Sequence, residues 1–194
     1  CYNQANFIAD AIQTCIDQDY SNLEIVIVDD HSTDRTWEIV KSYYDQYPNL
    51  IKISRNSRNL GITPTCNQVL QRCRGKYICY TAGDDIYLPN KISKQVELME
   101  RSPSMVMSYH DVEVFNSATN ETLRYWNHGE ASKPAITGSA NLVVKKLIEE
   151  GTSFISALSV IVCRKYIPAS GYDNRVPVAS DWLMWIEILV ASGG

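Results

Sequence analysis

Apolar positions along the first hundred residues switch repeatedly between two spacings. Ile8, Ala11, Ile12, Cys15 and Ile16 recur at helical intervals. A polar turn, Asp19 to Asn22, separates them from the run Leu23 to Val28. That run is short and β-branched, the pattern of a strand buried in a parallel sheet. Trp37, Val40, Tyr44 and Tyr47 predict a second helix face, stopped at Pro48-Asn49, and residues 50–54 predict a second strand. Ile62, Cys66, Val69, Leu70 and Cys73 mark a third helix, ended by Gly75. Tyr77 to Thr81 reads as a third strand. Pro89 then precedes a helix carrying Ile92, Val96 and Met99. Alternating strands and helices of these lengths predict an α/β fold with a doubly wound sheet.

The second half is less regular. Met105 to Phe115 is a strand candidate, and Asn116 to Pro134 is polar and turn-like, an excursion or hairpin. Ala140, Val143, Val144 and Leu147 mark a helix, Ser159 to Cys163 a strand, and Trp182, Trp185, Ile186 and Leu189 a last helix starting at Asp181. No repeat or linker divides the chain, so 1–194 reads as one domain. The ends look cut. The expectation is a first strand ahead of Cys1 and a C-terminal region beyond Gly194.

Composition narrows the classes. The chain has 194 residues, 45% hydrophobic and 21% charged, as in ordinary globular domains. A net charge of −4 with no basic run argues against nucleic-acid binding. The six cysteines show no C-x-x-C spacing and read as reduced, buried thiols rather than a zinc site. No stretch is apolar enough to span a membrane, and the expected location is cytoplasmic.

Chemistry concentrates in acidic residues. Asp29-Asp30 follows one strand and Asp84-Asp85 follows another, and ligands of open α/β sheets bind outside the carboxyl ends of strands. Such carboxylates suit a hard divalent cation, which phosphate and water complete. Each pair is also ordinary turn or cap chemistry. Asp181, like Ser180, reads equally as a helix cap or as a general base. His31, His110 and His128 lack ligand spacing and read as loop or surface residues. Neither a hydrolase elbow nor a glycine-rich phosphate loop is present, which leaves phosphate neutralisation to a metal.

Together, Cys1 to Ala5, Val28 to Asp34, Asn56 to Gly61, Gly75 to Ile78, Gly83 to Lys91 and Ser180-Asp181-Trp182 resemble the family 2 glycosyltransferases, inverting enzymes of the GT-A fold known from bacteria. The resemblance implies a Rossmann-like, mostly parallel sheet, with residues 1–100 on the nucleotide side and 101–194 on the acceptor side. It implies that Tyr2 stacks on the base and that Asp30 hydrogen-bonds it. It further implies that Asp84, with Asp85 beside it, holds Mg²⁺ or Mn²⁺, and that Asp181 is the catalytic base. Arg58 is a candidate for the nucleotide or its phosphates. Ala82 departs from the D-x-D pattern, where many relatives carry the first acid. The implied reaction moves a sugar from a nucleotide-diphosphate sugar, UDP foremost, to a hydroxyl of a glycan or lipid-linked saccharide, with peripheral membrane association through segments outside 1–194. The alternatives are a non-catalytic nucleotide- or glycan-binding domain of the same fold and a sugar nucleotidyltransferase.

Overall fold

A computed structural model describes residues 1–129 and 132–193. In chain order the helices are α1 (Ile8–Ile16), α2 (Thr36–Gln46), α3 (Ile62–Arg72), α4 (Lys91–Arg101), α5 (Ala140–Glu150) and α6 (Ser180–Ala191). The strands are β1 (Ile25–Asp29), β2 (Ile51–Arg55), β3 (Tyr77–Cys79), β4 (Met107–Ser108), β5 (Glu113–Phe115), β6 (Thr122–Tyr125) and β7 (Ile161–Cys163).

β1 and β2 run parallel, from Ile25 opposite Ile51 to Asp29 opposite Arg55. Their carboxyl ends therefore lie side by side. β3 and β4 flank β7, and both pair with it antiparallel. The expected α/β architecture is present, but β7 is an antiparallel strand in what the sequence predicts as a mostly parallel sheet. Its three residues are wholly buried, so their apolar pattern carries no sign of direction.

Cys1 extends the parallel part. Its nitrogen donates to the Val28 carbonyl at 2.9 Å, and its carbonyl accepts from Asp30 N–H at 2.8 Å. These are the two bonds of a parallel ladder residue facing Asp29. Beside it, between β1 and β3, lies a groove of about 210 Å³.

Three apolar clusters hold the layers. Ile8, Ile12, Val40 and Ile51 join α1 and α2 to β2. Cys15, Ile92, Val96, Met99 and Ile161 join α1 and α4 to β7. The largest, around Leu147, Phe154, Val160, Val162, Met184 and Trp185, joins α5 and α6 to the β7 sheet.

Some element boundaries differ from the sequence expectation. Residues 105–115 are not one strand. They split into β4 and β5, which belong to different sheets. The 116–134 excursion is a hairpin, β5 against β6 with a bulge at Val114/Phe115; positions 130 and 131, and Gly194 at the chain end, lie outside the described residues. Tyr43 packs inward on α2, whereas Tyr44 is 36% exposed. Ile62 opens α3 at the surface, 78% exposed. All six cysteines are free, with only Cys15 and Cys163 buried.

Candidate active site

The loop after β1 contains two aspartates with different tasks. Asp29 is fully buried. Its Oδ2 accepts from Ser32 N–H at 3.1 Å and from Arg55 Nε at 3.0 Å, and Arg55 Nη2 continues to the Ser32 carbonyl at 2.6 Å. Asp29 thus ties its own loop to the end of β2. It is structural.

Asp30 faces the other way and organises the loop 56–61. Its Oδ1 accepts from Asn56 Nδ2 and Leu60 N–H, each at 2.8 Å, and its Oδ2 accepts from Gly61 N–H at 2.8 Å. Asn56 Nδ2 also donates to Thr65 Oγ1 on α3 at 3.1 Å. Burial pushes the Asp30 carboxyl up, but the bonds from Asn56, Leu60, Gly61 and Thr65 outweigh it and hold it below the usual range. Tyr2 stands next to it through the Cys1–Asp30 backbone bond, 44% exposed.

The turn that carries Tyr2 is fixed by polar contacts. Asn3 adopts a left-handed φ of 51°, which asparagine tolerates. Asn3 N–H donates to Ser32 Oγ, Gln4 N–H to Thr36 Oγ1 and Ala5 N–H to Asp34 Oδ2, at 2.9, 2.7 and 3.0 Å. At the entry of α2, Asp34 Oδ1 accepts from Thr36 N–H at 2.9 Å.

Asp84 reaches the same edge from the loop after β3. It is exposed, and its Oδ1 accepts from Gln4 Nε2 at 2.8 Å. Asp85 is half-buried; burial pushes its carboxyl up and the charge of Asp84 adds to the rise. Two adjacent carboxylates offer oxygen donors only, the donor chemistry that suits Mg²⁺ and Mn²⁺. Among the described residues no group of three or more His, Cys, Asp or Glu converges. Two carboxylates therefore fit a cation that phosphate and water complete. The loop is clamped further on by α1 and the turn after it: Tyr87 N–H donates to Thr14 Oγ1, and Gln18 Nε2 to the Leu88 carbonyl, each at 3.1 Å.

Asp181 lies inside the first turn of α6, not at its cap. Its Oδ1 accepts from Trp182 N–H at 2.8 Å, and the capping position, Ala179, supplies no side-chain bond. α3 links this region to Asp30. Its entry residue Gly61 holds Asp30, while Thr63 Oγ1 donates to Ser180 Oγ at 3.3 Å. One turn on, Asn67 clasps the segment before α6, donating to the Tyr172 carbonyl at 2.9 Å and accepting from Tyr172 N–H at 2.7 Å. The Cys66 thiol is pushed up by burial, and the Asp181 carboxylate adds to the rise.

Tyr2, Asp30, Asp84 and Asp85 therefore share one edge, and α3 connects that edge to Asp181. Arg58 is exposed; the basic residue engaged at this edge is Arg55. Gln4, Asn56 and Asn67 escape sequence reasoning because amides bear no charge pattern, although the first two fall within the quoted segments. His128 pairs with Asp111 in the hairpin region, and His31 Nδ1 contacts the Asn56 carbonyl at 3.1 Å.

A parallel pair joined to an antiparallel three-stranded unit, with carboxylates at the strand ends, defines an α/β protein of the GT-A type. The solved structures agree. S. aureus TarS matches with a TM-score of 0.70 at 17% identity, over 98% of this chain and 32% of that one. TarS 1–349 in complex with UDP matches at 0.69 and 16%, over 98% and 53%. A mannosyltransferase from Pyrobaculum calidifontis, PcManGT, in complex with GDP-Man and Mn²⁺, matches at 0.53 and 23%, over 61% and 34%. The model of glycosyl transferase family 2 matches residues 1–155, and the chain belongs to that family. An uncharacterized glycosyltransferase of Rickettsia typhi is 34% identical over 98% of this chain and 57% of its own length. A putative glycosyltransferase of Bacillus subtilis, EpsE, is 35% identical over 52% and 36%. An uncharacterized protein of Mycobacterium tuberculosis is 30% identical over 100% and 52%. The chain thus spans about half or less of the length of most of these relatives. No helix among the described residues is long and apolar enough to cross a membrane.

Proposed function

We propose that this chain is the donor-binding and catalytic part of an inverting glycosyltransferase that uses a nucleotide-diphosphate sugar. The observation that carries the reading is the linkage of Asp84 to the Gln4 turn, and of Asp30 to Ser180, the neighbour of Asp181, through the start of α3. Residues 1–100 form the nucleotide half and 101–194 the acceptor half. Tyr2 stacks on the base, and Asp30 accepts from it, taking the place of one loop donor. Arg58 is free to swing to the phosphates. UDP is the first nucleotide to test, since TarS of the same fold is solved with UDP.

Asp84 and Asp85 would hold Mg²⁺ or Mn²⁺ together with the diphosphate, and the bound ion supplies charge stabilisation to the leaving nucleoside diphosphate. Asp181 accepts the proton of an acceptor hydroxyl as that oxygen forms its bond to the anomeric carbon. The bond from that carbon to the diphosphate oxygen breaks on the opposite side, so configuration inverts. The acceptor is a hydroxyl of a glycan or lipid-linked saccharide, and access to a lipid-linked one would be peripheral. Six free thiols suit a reducing, cytoplasmic setting.

The test is a thermal-shift screen of nucleotide sugars with and without Mn²⁺, followed by turnover of Asp181→Asn with the donor that binds. A general base contributes about 10²–10⁴-fold. The variant should lose that much turnover while keeping donor binding; unchanged turnover removes Asp181 from the role. A second reading, a nucleotide-binding domain without turnover, is favoured by Ala82 in place of an acid. Calorimetric nucleotide binding with no sugar consumed across donors and acceptors would select it.

A further inference from the structure

We propose that Gln4 is the positioning residue that sets the Asp84 carboxylate for a divalent cation, and that Gly83 is glycine to make room for it. The proposal rests on the reading of Asp84 as a metal ligand.

The loop between β3 and α4 is held unevenly. From Tyr87 onward, it is clamped by Thr14 of α1 and by Gln18 just beyond that helix. Across residues 82–86 the only hydrogen bond to another element, among the described residues, is Gln4 Nε2 to Asp84 Oδ1 at 2.8 Å. The other bonds of that stretch, Thr81 Oγ1 and Asp85 N–H to the Ala82 carbonyl, are local. The Asp84 side chain therefore takes its direction from Gln4.

Gln4 is itself anchored. Its N–H is held by Thr36 Oγ1 at 2.7 Å, and its carbonyl accepts from Phe7 and Ile8 N–H, each at 2.9 Å, at the entry of α1. The side chain then crosses to a loop eighty residues along the chain. Its Oε1 is buried and has no hydrogen-bond partner among the described residues. An unsatisfied buried oxygen destabilises a fold. Retaining one to aim a single N–H at an exposed carboxylate is a poor structural solution and a good functional one.

The chemistry of the amide fits that task. A lysine at this place would neutralise Asp84 and compete with a cation. A neutral amide donor orients Oδ1 and leaves both the charge and Oδ2 available. Partners that orient ligating side chains typically change metal affinity 10–100-fold when removed.

Gly83 supplies an independent mark. Its φ is not in the left-handed region, so backbone conformation does not demand glycine. Space links it to Gln4: a Cβ on Gly83 would stand 2.3 Å from Gln4 Oε1 and 2.7 Å from Ile8 Cδ1, so these side-chain ends would have to shift. Any side chain there displaces the Gln4 amide from its contact with Asp84.

The experiment measures Mn²⁺ binding with UDP by electron paramagnetic resonance, UDP binding without metal by calorimetry, and thermal unfolding, in the parent, Gln4→Leu, Gly83→Ala and the double variant. Each single variant should weaken Mn²⁺ binding tenfold or more while metal-free UDP affinity stays within twofold. The double variant should be no worse than the weaker single, because both act on one contact. Mn²⁺ affinity within twofold of the parent in folded Gln4→Leu overturns the proposal. An equal loss of metal-free UDP binding also overturns it, since Gln4 would then merely hold the Tyr2 turn. A parent that binds no Mn²⁺ with UDP overturns the metal reading of Asp84, and this proposal with it. If Gly83→Ala does not fold, Gln4→Leu alone decides.

Discussion

Asp30 and Lys91 show what burial does to a charge with and without partners. Asp30 accepts hydrogen bonds on both oxygens, and its carboxyl is held below the usual range. A group so depressed adds stability above its unfolded value, and that stability is lost as pH falls through the folded value. Asp30→Asn turns an acceptor into a donor facing Leu60 and Gly61 N–H. It should cost about 1–3 kcal/mol and lower nucleotide affinity at least tenfold, read by denaturant unfolding and calorimetry. Lys91 is the opposite case. It is 7% exposed, donates to Gln95 Oε1 at 3.0 Å and lies 4.3 Å over the Tyr87 ring, with no carboxylate partner among the described residues. Burial lowers its value from 10.5 to about 8, against the opposing pull of Cys79 and Cys15. The folded chain releases this proton before the unfolded chain does. Stability is therefore reduced below about pH 8 and recovers as pH rises towards 10.5, by roughly 3 kcal/mol in all. The thiols of Cys73 and Cys15, pushed up by burial to about 11 and about 12, act in the opposite sense above pH 9. The informative quantity is thus parent minus Lys91→Met: the variant should be the more stable near pH 7, and the gap should close by pH 10.5. A gap independent of pH would mean that Lys91 is not strained by its charge.

Among the elements, α3 does two jobs at once. Its first residues meet Asp30 through Gly61 and Ser180 through Thr63, and Asn67 grips the turn at Tyr172. Gly171 has a φ of +69°, and a Cβ on it would stand 2.2 Å from Asn67 Oδ1, so turn and clasp require each other. Cutting the clasp should shift Asp181 without touching the nucleotide side. If Asp181 is the base as proposed, Asn67→Leu is expected to lower kcat tenfold or more, since small misplacement of a catalytic group is costly, and to leave UDP affinity within twofold. Equal losses in both would show that α3 transmits nothing specific to α6. This link was not legible in the sequence. The apolar stripe Cys66, Val69, Leu70 and Cys73 announces the helix, and the acidic pairs announce the edge, because hydrophobic spacing and charge both leave residue-type signatures. The contacts that assemble the site are made by backbone N–H groups of Leu60 and Gly61 and by side-chain amides. Backbone donors have no letter in the sequence, and amides are as common in loops as in sites. β7 is legible as a strand but not as an antiparallel one, because a wholly buried apolar run carries no sign of direction.

At the scale of the whole molecule, a groove lies between β1 and β3. It is lined by the full length of β1, by Ile8 and Ile12 of α1, by Cys66 and Val69 of α3, and by Ile78 of β3. These residues or their neighbours come from all three apolar clusters. Among the described residues β1 pairs with β2 and, at its carboxyl end, with Cys1, and β3 pairs with β7, so β3 and the rest of β1 turn unpaired edges towards the groove. Unpaired edges of apolar strands are templates for another strand. Cys1 already makes the ladder bonds of a residue parallel to β1, opposite Asp29. A segment running into Cys1 would extend that ladder down the groove. Burying an aliphatic side chain is worth about 1.5–3 kcal/mol, against about 1–2 kcal/mol to order each residue's backbone. With ladder hydrogen bonds added, five β-branched residues fused ahead of Cys1 should gain a few kcal/mol net. For a chain of this size that is a rise in Tm on the order of 10 °C. Five Gly-Ser residues in the same place are the control, since they bring backbone but no apolar surface. Protected amides on β1 and β3 in the apolar fusion alone, read by hydrogen exchange, would show that the strand is seated between them. Equal Tm for the two fusions would mean that the groove does not accept a strand, and that the two sheets meet through side chains alone.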